Sequence, residues 1–239
     1  YFKKWLYLKV FIGLGLHNKI RWQATSNHEL NQIQRIFGQK ASLVSTRLTV
    51  PPLKKRLHFV QKKAKSLRLF FYSRISPKKN LHLLLDSLLH SHPSILLSIV
   101  GPMEDLNYWE NYCLPNIILL GDRVSYKGCV PSLDDYLKVN EEHFMILPSA
   151  GENFSFAIFE CLVRGMPVII SSHTPWGNIG VNKGGFILDD FSKMSLLLNH
   201  LFHLDDVHYQ IYCLGALQCA ASYIDTNKAE EDYSTLFSC

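Results

Sequence analysis

No Cys-x-x-Cys pair occurs in the 239 residues, and the six cysteines (Cys113, Cys129, Cys161, Cys213, Cys219 and Cys239) follow no regular spacing. The usual patterns of a zinc ribbon, a thioredoxin-like redox centre and a disulfide framework are therefore missing. The thiols stand mostly among apolar neighbours, as in FECLV and IYCLG, and read as reduced core cysteines of a cytoplasmic protein. His90/His92 and His200/His203 are the only close histidine pairs, and neither has a ligand-type cluster beside it, so no metal is expected. GLGLHN at 13–18 lacks the third glycine of a dinucleotide fingerprint and follows no clear strand; no G-x-x-x-x-G-K-S/T is present. The strongest cues for a dehydrogenase or a P-loop enzyme are thus gone. Without G-x-S-x-G, Ser-His-Asp hydrolysis is not signalled either. No uncharged apolar run reaches the roughly 18 residues of a membrane span, and no small-residue cleavage site follows the N-terminal apolar stretch.

What the chain has is apolar material, 47% of its residues, enough to fill a sizeable core and to argue against disorder. Lys and Arg number 25 against 20 Asp and Glu, a formal charge of +5. Much of the excess lies early, in KK at 3–4, LKKR at 53–56 and KKAK at 62–65. Such runs ordinarily form solvated faces; an anionic membrane or a phosphorylated ligand is the sharper reading. No nucleic-acid partner is expected. YFKKWLYLKVFIGLGLHNKIRW at the start reads as the apolar face of a helix or strand packed on something upstream, so a missing N-terminal portion is expected. Phe2, Trp5 and Phe11 with the nearby lysines could equally lie at a membrane interface, which would make the protein peripheral there.

From residue 67 two periods alternate. LRLFFYS (67–73), SILLSIVGP (94–102), RVSYKG (123–128), HFMILPS (143–149), PVIISS (167–172) and GGFILDD read as strands. KKNLHLLLDSLLHSH (78–92), with Leu81, Leu84, Leu85, Leu88 and Leu89 on one stripe, predicts an amphipathic helix. NYWENYCL predicts a short helix, PSLDDYLKV one capped by Ser132, and FAIFECLVRG (156–165) one capped by Ser155 and ended by Gly165. SKMSLLLNHLF (192–202) and a long stretch from Asp206 to Tyr223 close the chain as helices. The alternation predicts a parallel sheet with helices on both faces. Ligands of such sheets bind outside the carboxyl ends of the strands. The loops that matter are then SRISPKK, GPMED, KGCVPS, PSAGENFS and SSHTPWG.

In PSAGENFSFAIFE, Gly151 lets the backbone turn or approach a ligand closely. The first free N–H groups of the following helix form an anion site. Glu152 before that helix and Glu160 inside it place carboxylates at two sides of such an anion, and carboxylates accept well from vicinal hydroxyls. Taken singly, Glu152 reads equally as a helix-start glutamate meeting the dipole and Glu160 as a solvated helix residue. SRISPKKN supplies cations: Arg74 directly after the strand and Lys79 five residues on, with Lys78 as rival for Lys79. Arginine offers forked donors to phosphate oxygens and lysine a point charge. Together the loops describe a site for two phosphates flanked by polyhydroxylated groups, a nucleotide sugar.

The order of these motifs resembles the donor-binding half of a family 4 glycosyltransferase, the retaining group with two-domain GT-B architecture. The resemblance is carried by SRISPKKNL (73–81), IVGP (99–102), VSYKGCVP (124–131) and LPSAGENFSFAIFECLVRGMPVIISSHTPW (147–176), and spans roughly residues 66 to 190. ATSNHELNQIQRIFG (24–38) resembles that family's inter-domain stretch less specifically. The resemblance implies a Rossmann-like α/β fold, the C-terminal domain of a GT-B enzyme. It divides the chain into 1–45, a remnant of the N-terminal domain and inter-domain stretch, 46–205, the nucleotide-sugar-binding domain, and 206–239, a helical segment. It implies that Arg74 and Lys79 bind the donor diphosphate, Glu152 the transferred sugar and Glu160 the ribose. Backbone N–H groups at Asn153, Phe154 and Ser155 would meet sugar or phosphate, and Val130 would flank the base. No metal or other cofactor is implied. Three positions depart from the pattern: Ser73, Asn80 and Ser155 stand where glycine is common, and a Cβ at Ser155 narrows the space for a sugar.

The expected activity is hexosyl transfer from a nucleotide-diphosphate sugar to a glycan, lipid or other hydroxyl acceptor, with retention and in polysaccharide biosynthesis. An isolated donor-binding module without turnover is the alternative, since only about 45 residues precede LVSTRLTVPP, too few for an N-terminal sheet domain. A glycoside hydrolase using Glu152 and Glu160 is a third reading, which the Arg74/Lys79 patch does not help.

Overall fold

The computed structural model describes residues 2–38, 43–45, 50 and 60–238. The elements in chain order are α1 (Phe2–Gly13), β1 (Trp22–Ala24), α2 (Asn27–Phe37), β2 (Leu43–Ser45), β3 (Leu67–Tyr72), α3 (Leu81–Leu89), β4 (Ile95–Val100), α4 (Leu106–Tyr108), α5 (Leu114–Leu120), β5 (Val124–Gly128), α6 (Leu133–Val139), β6 (Phe144–Leu147), α7 (Phe156–Leu162), β7 (Val168–Ser171), β8 (Gly185–Leu188), α8 (Met194–His203), α9 (Asp206–Thr226) and α10 (Ala229–Phe237). They fall into two compact units, Pro52–Tyr223 and Tyr1–Pro51 with Ile224–Cys239.

In the larger unit six strands form one sheet in the order β5-β4-β3-β6-β7-β8, every neighbouring pair parallel. β3, β4 and β5 grow outward on one side. The chain then returns to lay β6 against the other edge of β3, with Leu69 opposite Phe144 and Phe70 opposite Met145. This reversal makes a crevice outside the carboxyl ends of β3 and β6. The fold is the parallel sheet that the strand–helix alternation predicts, and it is Rossmann-like as the family resemblance implies.

Burial explains why the central strands are near-continuously apolar: all four residues of β6 and of β7 are buried, as strands covered on both faces require. The predicted stripe on α3 is the covered face, with Leu81, Leu84, Leu85 and Leu88 at 0% exposure. Each such leucine contributes about 1.5–3 kcal/mol on leaving water. Ser132 caps α6 as predicted, its hydroxyl accepting from the Asp135 N–H at 3.3 Å. The short helix expected at NYWENYCL is longer: α4 runs through a π-helical turn (Trp109–Cys113) into α5, where Pro115 sits in the first turn. Proline there loses no intrahelical bond. Four of the cysteines are buried, but Cys129 is exposed.

The basic runs differ from the expected solvated faces. Lys3, Lys4, Lys63 and Lys65 are exposed, but Lys62 is fully buried, its Nζ donating to the Leu204 carbonyl at 2.6 Å and its N–H to Asp206 Oδ1 at 2.9 Å. The LKKR run lies outside the described residues.

The smaller unit pairs β1 with β2 in parallel. α2 begins with Ser26 accepting from the Glu29 N–H while Glu29 accepts from the Thr25 N–H and hydroxyl, a reciprocal cap. Arg21 donates to the carbonyls of Thr235, Leu236 and Ser238 at the end of α10. α1 is a helix with no buried residue, exposing Phe2, Trp5, Leu6, Tyr7 and Val10. No helix among the described residues is long and apolar enough to cross a membrane.

Candidate functional site

Two loops meet at the switch point. After β3 the chain passes Arg74 and Ile75 into a single 3-10 turn, Pro77–Lys79. Asn80 then takes φ 53°, a left-handed conformation that asparagine tolerates, and its side-chain amide donates to the Pro148 carbonyl at 2.9 Å. After β6 the second loop returns the grip: the Ala150 N–H donates to the Lys78 carbonyl at 2.8 Å. Ser149, fully buried, is held from behind by the Ser171 hydroxyl, which donates to its carbonyl at 2.5 Å.

These backbone links deliver Lys79 to Glu152. Nζ and Oε1 lie 2.5 Å apart, and the two side chains are 9% and 10% exposed. Glu152 is fixed in turn by its N–H, which donates to the His173 carbonyl at 3.2 Å. An ion pair this far from water survives only where geometry and further hydrogen bonds compensate desolvation. Of the rival lysines, Lys79 is therefore the inward one, while Lys78 is exposed and contributes its carbonyl. Arg74 goes elsewhere. Its side chain is 60% exposed, and Nη1 lies 2.5 Å from Glu104 Oε1 in the GPMED loop after β4.

Glu160, on α7, faces the same end of the sheet. Burial, then the charge and hydrogen bond of the Glu160 carboxylate, push the Tyr72 hydroxyl well above its ordinary pKa. Tyr72 closes β3, two residues before Arg74, so the arginine's loop and Glu160 flank one crevice. Arg164 braces that flank: its Nη1 donates to the Glu160 carbonyl at 2.6 Å and its Nε to Asp134 at 2.7 Å, at the start of α6. The loop carrying Val130, which is half-buried, leads into that same helix. Neither Arg164 nor Glu104 is singled out by sequence; the position of Arg164 four residues after Glu160 was the available signal for the first.

The remaining expectations meet a mixed outcome. Ser155 does not cap α7: it adopts φ 66° and ψ 84°, and its hydroxyl makes no capping bond. A left-handed residue points its side chain away from the helix N–H groups, which is why the cap fails. Phe154 is buried against Phe159, Trp176 and Tyr223, and its carbonyl accepts from the Trp176 indole at 2.6 Å. Asn153 is exposed. A Cβ at Gly151 would meet only the Lys78 side chain, at 4.0 Å, so neither packing nor a positive φ demands glycine there. Among the described residues no group of three or more His, Cys, Asp and Glu is arranged to hold a metal ion.

With the geometry in place, the comparison with known families is decisive at one level. The family of glycosyl transferases group 1 matches residues 54–199. The chain belongs to that family. Its match runs from before β3 into α8 and so includes both loops of the crevice. Solved structures of low identity share the fold. Anabaena HepE in complex with UDP and glucose is 19% identical with a TM-score of 0.72, over 97% of this chain and 67% of that one. WaaG, a glycosyltransferase involved in lipopolysaccharide biosynthesis, is 11% identical with a TM-score of 0.68, over 91% of this chain and 62% of that one. S. aureus TarM, solved with UDP, is 16% identical with a TM-score of 0.70, over 93% of this chain and 45% of that one. No curated protein matches.

Proposed function

We propose that this group 1 glycosyl transferase binds a nucleotide-diphosphate sugar in the β3/β6 crevice and serves transfer of its hexosyl group, with retention as in family 4, to a hydroxyl acceptor on a glycan or lipid. The observation that carries the reading is the buried Lys79–Glu152 pair at the switch point. It sets a phosphate-binding cation beside a hydroxyl-binding carboxylate where α/β sheets take their ligands. HepE and TarM were solved with UDP, which supports a diphosphate donor.

In this reading Arg74 and Lys79 hold the diphosphate and stabilise the charge that develops on it as the glycosidic bond breaks. Glu152 accepts from hydroxyls of the transferred sugar, held in place by Lys79. Glu160 accepts from the ribose, its backbone carbonyl held by Arg164 in the turn that follows its helix. Backbone N–H groups of Asn153, Phe154 and Ser155 face sugar or phosphate, Gly151 leaves room for that approach, and Val130 flanks the base. No metal or cofactor takes part: the two cations do the work that a divalent ion does in other phosphate sites. The acceptor, a polysaccharide or lipid-linked glycan, reaches the sugar from outside the crevice.

Calorimetry with UDP-, GDP- and ADP-sugars, paired with a hydrolysis and transfer assay, tests this. The expected result is binding of one of these donors, lost by at least about tenfold in Arg74→Ala and in Lys79→Ala as charge-assisted phosphate contacts disappear. Undiminished binding in either variant overturns the assignment of these residues. Binding without turnover identifies a donor-binding module instead of an autonomous enzyme.

A further inference from the structure

We propose that Glu104 is an intramolecular competitor for the diphosphate, a carboxylate that pairs with Arg74 and is displaced from it by the phosphates of the donor. This rests on the reading of Arg74 as a diphosphate ligand. The two cations assigned to the diphosphate are each paired with a carboxylate, but the pairs differ in kind. Lys79 and Glu152 are about nine-tenths buried, whereas Arg74 and Glu104 are 60% and 43% exposed. An exposed pair is worth little in water and exchanges readily. A buried one does not. The exchangeable contact is therefore the one at the mouth of the crevice.

The pairing is built into the backbone and does not depend on two long side chains finding each other. Ile75, next to Arg74, donates its N–H to the Pro102 carbonyl at 2.8 Å and pairs with Met103 in a short parallel bridge. Its carbonyl accepts from the N–H groups of Glu104 and Asp105, at 3.1 and 3.2 Å. Asp105 is already engaged, accepting from the Tyr108 N–H at 2.9 Å as the cap of α4. Glu104 is thus the carboxylate of this loop that is held within reach of Arg74, its Oε1 accepting from the Arg74 Nη1 at 2.5 Å. A carboxylate presents two oxygens to a guanidinium much as a phosphate does, so the two ligands exclude one another. Entry of the donor exchanges Glu104 for phosphate oxygens. Departure of the nucleoside diphosphate is assisted when Glu104 returns.

The test is calorimetric titration of UDP, GDP and ADP into wild type, Glu104→Gln, Arg74→Ala and the double variant, at about 50 and 500 mM salt. The substitution is exposed and isosteric, and an unchanged thermal midpoint shows that the fold is kept. Glu104→Gln is expected to tighten diphosphate binding about threefold at low salt, as loss of an exposed ion pair allows, with the gain shrinking at high salt. In the Arg74→Ala background the same change is expected to have no effect, because the competition runs through the arginine. Equal affinity in wild type and Glu104→Gln overturns the competitor role while the crevice reading stands. Weaker binding in Glu104→Gln also overturns it, making Glu104 a residue that holds Arg74 in place. Failure of all three diphosphates to bind wild type overturns the crevice reading and this inference together.

Discussion

Lys79 and Lys62 are both buried, and they differ in what they meet there. Lys79 has a carboxylate at 2.5 Å. Removing it alone leaves Glu152 buried without its cation, so Lys79→Ala is expected to cost about 3 kcal/mol in urea denaturation, a good part of which Lys79→Ala/Glu152→Ala recovers. Donor binding is expected not to recover in the double variant, which would distinguish function from stability. Lys62 meets a carbonyl and only a more distant Asp205. Burial pushes it from 10.5 down to about 8, with the Asp205 charge opposing. The unfolded chain keeps that proton up to the ordinary value, so it binds more protons than the native state between about pH 8 and 10.5. Native stability therefore rises with pH through that window, and below it the cost of the buried cation is carried in full. Wild type is expected to gain about 2 kcal/mol over Lys62→Met between pH 7.5 and pH 10 by urea denaturation. Sequence put Lys79 in a ligand loop and Lys62 in an ordinarily solvated run, but could not show that either is buried, because KKAK and SPKKN are both runs of surface-type residues. Burial of one member is set by α8 and α9 in the first case and by the β6 loop in the second.

At the scale of elements, periodicity was readable and backbone handedness was not. The stripe on α3, the strand runs and the Ser132 cap follow from side chains a few residues apart. Ser155 shows where that reasoning stops. Serine before an apolar helix is a good cap only with extended backbone, and here the loop forces φ 66°. Asn80 at φ 53° has the same cause. Both stand where the resembling family commonly has glycine, so the substitutions preserve a left-handed turn at some steric cost. Gly101 is a position beside these loops where nothing larger fits: with φ 142°, a Cβ would lie 1.9 Å from the Ser73 carbonyl oxygen. Gly101→Ala is expected to lower stability by about 2 kcal/mol or more, measured by thermal or urea unfolding. Because the GPMED loop must shift, it is also expected to abolish the affinity gain from Glu104→Gln.

For the whole molecule, topology brings residues scattered along the chain to one end of the sheet. Arg74, Lys79, Glu152 and Glu160 span 87 positions, counting both ends from 74 to 160, yet all lie at the carboxyl end of β3 and β6. The alternation of strand and helix determined that the sheet is parallel, and with it that the loops after the strands carry the chemistry, since parallel strands need crossovers that place every such loop at one end. Residue type determined which side chains in those loops could grip phosphates and hydroxyls. Only the tertiary structure decided the partners. It sent Lys79 inward to Glu152 and Arg74 outward to Glu104, buried Lys62, and brought Glu160 beside Tyr72, because which charges meet depends on strand order and on backbone contacts between loops dozens of residues apart.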